Sequence, residues 1–475
     1  MPNDAIKEQE LLVARIDMLT QNLYRVRDLL ENSDLIGNKK DEEVGSERIR
    51  GKFASKINPL AKELDKLRTN LIENRLGPDG IPGAWDRMEQ YNVSANQIRS
   101  QCLDFLGGLA VRRWRLENGF CDLSEKLVTQ VSMKTGVTWA SVMILGEERP
   151  FDDIAATTQI IRIRFPEWDI WSLPFIVYEY GQIVTRSSDN IDQFRDLFAK
   201  TEKQISDLIE RPEVELSNND LDHLADEFKE ARQRYQAALA ASKANTDEAR
   251  SQLSEVKKET DLFIKKHSAH IRSLFSDILA TFFMGPAYLN ARVYLRLIPS
   301  QASEERPNQP STEQRMAFIF ETLKFMNKTG KVDQLGPGIY DEELARFQDL
   351  WSKSVKKDLP NFTHKDDKKN DLEYKIPYDP WFDECFETLS SVCYKEGFEP
   401  KHWKFAVALE ERLSQALPEP PEPTSNDNLQ VILNAAWICR KKNPGKVAEI
   451  SNAAYKMCEK VARPAQAPAD AGNRR

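Results

Sequence analysis

The side chains able to do chemistry fall in two stretches. Val177 to Ile183 reads V-Y-E-Y-G-Q-I: one carboxylate, Glu179, with Tyr178 and Gln182 four apart on the helix face beside it. With His at both positions such a face binds zinc, and the Glu serves as general base toward metal-bound water. A phenol and an amide are poor zinc ligands beside imidazole and carboxylate, and Glu179 without a metal has no acidified water to deprotonate. The second stretch, Ser273 to Pro299, reads SLFSDILATFFMGPAYLNARVYLRLIP and carries Asp277, which with Glu179 would make an acid/base pair. His267 and His270 stand three apart just upstream of Ser273, and with Asp277 they sketch a displaced metal site. The ordinary reading of the two histidines is polar packing, because no residue is evident to complete a site. The ordinary reading of Glu179 is an ion pair with Arg186 or Arg292.

Taken together, the two stretches resemble the gluzincin metallopeptidases. There the first helix carries H-E-x-x-H and a downstream helix carries E-x-x-x-D, whose Glu is the third zinc ligand and whose Asp supports the site from outside the ligand set. Aligning Asp277 with that Asp puts Ser273 on the ligand Glu, so Tyr178, Gln182 and Ser273 stand where His, His and Glu belong. W-S-L-P before the first motif, with L-F-S-D-I-L-A-T and G-P-A-Y in the second, looks most like a group of bacterial zincin-like proteins. The resemblance covers Val137 to Met326. It implies a zincin-like core whose zinc shell is lost while Glu179 and Asp277 remain as vestiges, and hence a chain that holds no metal and no cofactor.

The elements that must position these residues are mostly helices. Apolar residues at Leu12, Ile16, Leu19, Leu23, Val26 and Leu30, and again at Ile49, Phe53, Ile57, Leu60, Leu64, Leu67 and Leu71, follow a four-three rhythm. They predict a coiled-coil-like helical hairpin over 1–76, with Asn58-Pro59 kinking or restarting its second helix. A Gly/Pro break over 76–83 opens a helical connector, 77–134, with helices from about Ser94 to Glu117 and Leu123 to Met133. Val137 to Leu145 and Gln159 to Phe165 are β-branched runs that predict a small sheet flanking the first motif helix. That helix begins at Ser172-Leu173-Pro174, a cap followed by Pro in the first turn.

The zincin-like core is thus placed at 135–328, with a charged helical arm inserted at about 219–266. The second motif helix is expected from about His267, bent at Gly285-Pro286. Ser311 to Gln314 forms a capping box. A C-terminal helical domain fills 329–463, with a mobile loop at 354–370 and a polyproline spacer at 418–423, and a disordered tail follows at 464–475. The fold class is therefore mainly α with a small β-sheet.

Composition bounds the function. The chain has 475 residues, a net charge of −8 and a pI near 5.5, which argues against broad electrostatic capture of nucleic acid. No stretch of 18 uncharged apolar residues and no leader-like N-terminus appears, so a cytoplasmic protein off the membrane is expected. The six cysteines show no C-x-x-C spacing and read as buried thiols. No phosphate-binding Gly loop or G-x-S-x-G elbow occurs.

The leading reading is a catalytically inactive zincin-like module that binds protein partners through the hairpin and the arm within a larger bacterial assembly. A hydrolase with chemistry relocated to Glu179 and Asp277 is the alternative. A purely helical scaffold whose motifs match by coincidence is the third.

Overall fold

The computed structural model describes residues 2–32, 44–73, 75, 79–139, 141–145, 160–164, 169–186, 192–210, 226–243, 246–305, 309–329, 338–359, 379–393 and 397–462. The expected mobile loop from 360 onward and the expected disordered tail lie outside them. The chain divides into two compact units, Met1–Asp122 with Trp139–Trp168, and Leu123–Thr138 with Asp169–Arg475.

In the first unit α1 (Pro2–Asn32) and α2 (Val44–Ile72) run antiparallel, as the Arg68–Asp17 ion pair at 2.6 Å and the bond from Arg50 to the Leu30 carbonyl require. The four-three residues supply the seam: Leu12, Ile16, Leu23, Phe53, Ile57, Leu64 and Leu71 are all buried. α2 does not restart at Pro59. It runs on as one helix, because a single proline removes one rung while the buried seam on either side holds the axis. α3 (Gly80–Arg113) begins fourteen residues before the expected Ser94, since Pro82 sits in its first turn, where a missing N–H costs nothing. It lies along the hairpin. Trp85 Nε1 donates to Glu8, Lys56 bonds Gln101, and the Phe105 ring meets Phe53 edge-on at 5.8 Å. β1 (Ser141–Leu145) and β2 (Ile160–Arg164) pair in parallel, packed on α3, and are the only strands among the described residues. α4 (Phe120–Thr135) spans the division between the units.

The second unit is built on α5 (Leu173–Val184), twelve residues of which all but Glu179 are buried. A helix apolar on every side has to sit at the centre. α6 (Asp192–Glu210) and α7 (Asp226–Ser242) follow, and then α8 (Asp247–Met284). The arm and the second motif helix, expected as separate pieces joined near residue 267, form this single 38-residue helix. The apolar run entering at His267 continues the periodicity of the charged run, so nothing stops the helix there. Thr246 caps it by accepting from the Ala249 N–H.

The bend expected at Gly285-Pro286 is a full stop. Gly285 has φ +58° and a Cβ there would lie 2.3 Å from the Phe398 ring, so only glycine fits. α9 (Pro286–Ala291) and a π-helical turn, Arg292–Arg296, complete that segment. α10 (Thr312–Thr329) starts on the reciprocal Ser311/Gln314 box. α11 (Asp341–Val355), α12 (Asp379–Val392), α13 (Pro400–Ala416), α14 (Leu429–Lys442) and α15 (Val447–Ala462) finish the unit. No described helix is long and apolar enough to cross a membrane.

Candidate functional site

α5 and α8 touch at Gly181 and Ser276. A Cβ on Gly181 would stand 2.9 Å from the Ser276 Cα, so the two backbones meet with no side chain between them. Gln182 Nε2 donates to Ser276 Oγ at 2.8 Å, and that hydroxyl donates to the Arg272 carbonyl at 2.8 Å. Gln182 therefore engages the Arg272/Ser276 row of α8, next to the row that carries Ser273 and Asp277. The other side of α5 is anchored by Tyr180, whose buried hydroxyl meets Thr135 Oγ1 and donates to the Val137 carbonyl at 2.8 Å.

Tyr178 faces the Asp277 row. Its ring stacks on Tyr288 of α9 at 6.5 Å and 13°, and the Arg315 guanidinium of α10 lies over it at 4.6 Å. Arg315 turns both of its near nitrogens onto Asp277, Nε to Oδ2 at 2.7 Å and Nη2 to Oδ1 at 2.9 Å, and the Tyr288 hydroxyl donates to Oδ1 as well. Asp277 is 0 % and Arg315 5 % exposed on their side chains. Burial opposes the charge on Arg315, and the Asp277 carboxylate more than offsets it, holding the guanidinium protonated well above its usual range. Burial, and after it Asp277, pushes the Tyr288 phenol well up, and burial raises that of Tyr178. Both phenols stay neutral.

Asp277 thus has no surface from which to trade a proton with a substrate, which counts against pairing it with Glu179 in general acid/base work. Glu179 is half-buried on α5 beside Tyr178, whose phenol its charge helps push up. Ser273 is buried one turn from Asp277.

His267 and His270 are both buried, away from α5, on the α7 side of α8. The His267 ring packs on Phe228 at 4.5 Å, on Phe263 at 4.3 Å and on His270 at 5.6 Å, and Glu227 comes to 3.6 Å. Burial, then His270 and Lys266, pushes His267 down to about 3, so it is a neutral packing residue at ordinary pH. No group of three His, Cys, Asp or Glu side chains placed to hold a metal occurs among the described residues. None of the six cysteines is in a disulfide and all are buried, and burial raises Cys102 to about 11 and Cys393 to about 12, which removes those two as nucleophiles. A groove of about 510 Å³ between α1 and α2 is lined by Asp17, Arg27, Lys62, Asp65 and Arg68 together with Thr20, Tyr24, Asn58 and Ala61.

Sequence reasoning missed Arg315 and Tyr288. A signal existed: Arg315 precedes five apolar residues, Met316 to Phe320, all of them buried, so it sits at the edge of a core and needs a buried carboxylate. Of the two carboxylates in the apolar motif stretches, Glu179 and Asp277, it is Asp277 that Arg315 binds. No protein-family model, no curated protein and no solved structure matches the chain.

Proposed function

We propose that this chain is a catalytically silent, zincin-like binding module, in which an arginine has taken over the electrostatic place of a metal ion. The observation that carries the reading is the Arg315–Asp277 pair. A cation lies between the Tyr178 ring and the Asp277 carboxylate, at the side of α5 where the gluzincin resemblance calls for zinc. Close packing of α5 on α8 at Gly181 supports it, as does the engagement of Gln182 by Ser276.

Function then rests on surfaces. Leu11 and Met18 of α1, 51 % and 60 % exposed, and the polar first half of α8 are the faces offered to protein partners.

The ancestry is tested by elemental analysis of the parent and of the triple variant Tyr178→His, Gln182→His, Ser273→Glu. The parent should purify without stoichiometric zinc, and the triple variant should bind zinc more tightly than any single variant, since each ligand helps only when the others are present. Chelator-removable zinc at one per parent chain would overturn the silent reading. A folded triple variant that binds no more zinc than the parent would overturn the zincin-like one.

A further inference from the structure

Arg440, near the C-terminal end of α14, has its guanidinium over the faces of three aromatic rings: Trp171 at 4.7 Å, Trp437 at 4.9 Å and Tyr294 at 5.8 Å from its central carbon. The rings come from three places, the turn before α5, α14 itself and the π-helical turn, and Trp437 joins the other two. The indoles meet at 4.9 Å and 63°, and Tyr294 leans on Trp437 at 5.6 Å and 33°. Three such rings make a box that presents the negative faces of its π systems to one cation.

The cation now in the box fits it poorly. Arg440 is half-buried, and among the described residues its guanidinium makes no hydrogen bond and no ion pair. Burial is the largest influence on it and disfavours the charge, and Asp169, then Tyr294, offset this only in part. A guanidinium carries five N–H donors, and ring faces do not accept from them as oxygens do. A quaternary ammonium has no N–H to leave unbonded and gains the same attraction from the three rings.

The charges around the box permit the exchange. Asp169 is exposed, and its Oδ1 accepts from the Ser172 N–H at 2.9 Å and the Ser172 hydroxyl at 3.0 Å, so Ser172 rather than Arg440 holds that carboxylate in place. Arg346 donates to the Tyr294 hydroxyl at 3.1 Å, Lys441 follows Arg440 on α14, and both are bound to Glu343. A ligand cation in place of the Arg440 guanidinium leaves this balance of charge as it is. Trp171 and Trp437, 5 % and 1 % exposed, form the floor of the box, and Tyr294, 43 % exposed, forms its open wall.

We propose that the Trp171, Tyr294 and Trp437 rings bind a quaternary ammonium group, with Arg440 as the resident plug that the ligand displaces. Calorimetry and melting curves on the full chain test this with tetramethylammonium and choline, against ammonium and sodium at matched ionic strength. The two quaternary ions should raise Tm in proportion to the logarithm of their concentration, and ammonium and sodium should not.

Arg440→Ala should bind tetramethylammonium at least about tenfold more tightly than the parent, because the ligand no longer competes with a resident cation. Arg440→Gln keeps much of the side chain and loses the charge, and should show a gain of the same sign if the alanine variant does not fold. In the Arg440→Ala chain, Tyr294→Leu removes the exposed wall and should weaken binding about fivefold. No binding of tetramethylammonium by the Arg440 variants, equal affinity in parent and variants, an equal response to ammonium, or an affinity unmoved by Tyr294→Leu overturns the proposal.

Discussion

Arg315→Met leaves the Asp277 carboxylate sealed in the second unit, with the Tyr288 hydroxyl still donating to it and no cation bonded to it. Breaking a buried pair by deleting one partner costs about 3–5 kcal/mol, because the remaining charge stays desolvated. The upper part of that range applies, since Asp277 has no exposed surface and Arg315 also covers the Tyr178 ring. For a unit of this size, Tm should fall by roughly 6–10 °C. Guanidinium denaturation followed by tryptophan fluorescence, with calorimetry to separate the transitions of the two units, gives the number.

One control identifies the cause. Asp277→Asn with Arg315→Met removes both charges and should recover most of the loss, to within about 1–2 kcal/mol of the parent. A loss of under about 0.5 kcal/mol would refute the claim that this pair is the electrostatic centre of the unit.

Gly181→Ala drives a methyl into the Ser276 backbone and should cost about 1–3 kcal/mol while loosening the Gln182–Ser276 bond, read by urea denaturation and by amide exchange at α5. His267 is held at about 3 in the fold against about 6.5 unfolded, so the unfolded chain binds the extra proton. Stability should therefore fall as pH drops from about 6.5 toward 3, by up to about 4 kcal/mol, and His267→Leu should flatten that slope in pH-dependent melts. Adding Arg315→Met to the triple zinc-ligand variant should strengthen its zinc binding, since it removes a cation that competes for the same space, and equal affinity with and without Arg315 would contradict that.

The seams of α1 and α2, the Ser311/Gln314 box and the start of α5 were legible because each is written in local spacing. Leu12, Ile16 and Leu23 repeat on one face, and Ser and Gln three apart satisfy each other. Three boundaries were misjudged, each for its own reason: at Pro59 the buried seam on either side overrides one lost hydrogen bond, Pro82 sits in a first turn where its missing N–H costs nothing, and at His267 the charged and apolar runs share one helical periodicity. At the site, the sequence pointed to Tyr178, Gln182 and Asp277, but not to what binds them. Arg315 is thirty-eight positions from Asp277, and Ser276 was hidden beside the more conspicuous Ser273. Such pairings are set by which helix faces which, and that is decided by the whole core.

The fusion of arm and motif into one helix has a mechanical consequence. At 1.5 Å per residue α8 is a rod of about 57 Å, exposed over much of its first half and buried almost continuously from His270 onward. Lys266, near its midpoint, is tied to Glu227 of α7 at 3.2 Å and to Glu305 at 2.9 Å, and so serves as a fulcrum. With no glycine or proline along its length to absorb a bend, a sideways load near Arg250 reaches Ser276 and Asp277 as displacement of a single lever, and beyond Lys266 it strains in turn the Arg272–Glu202 pair, the Gln182 bond and the Arg315 pair.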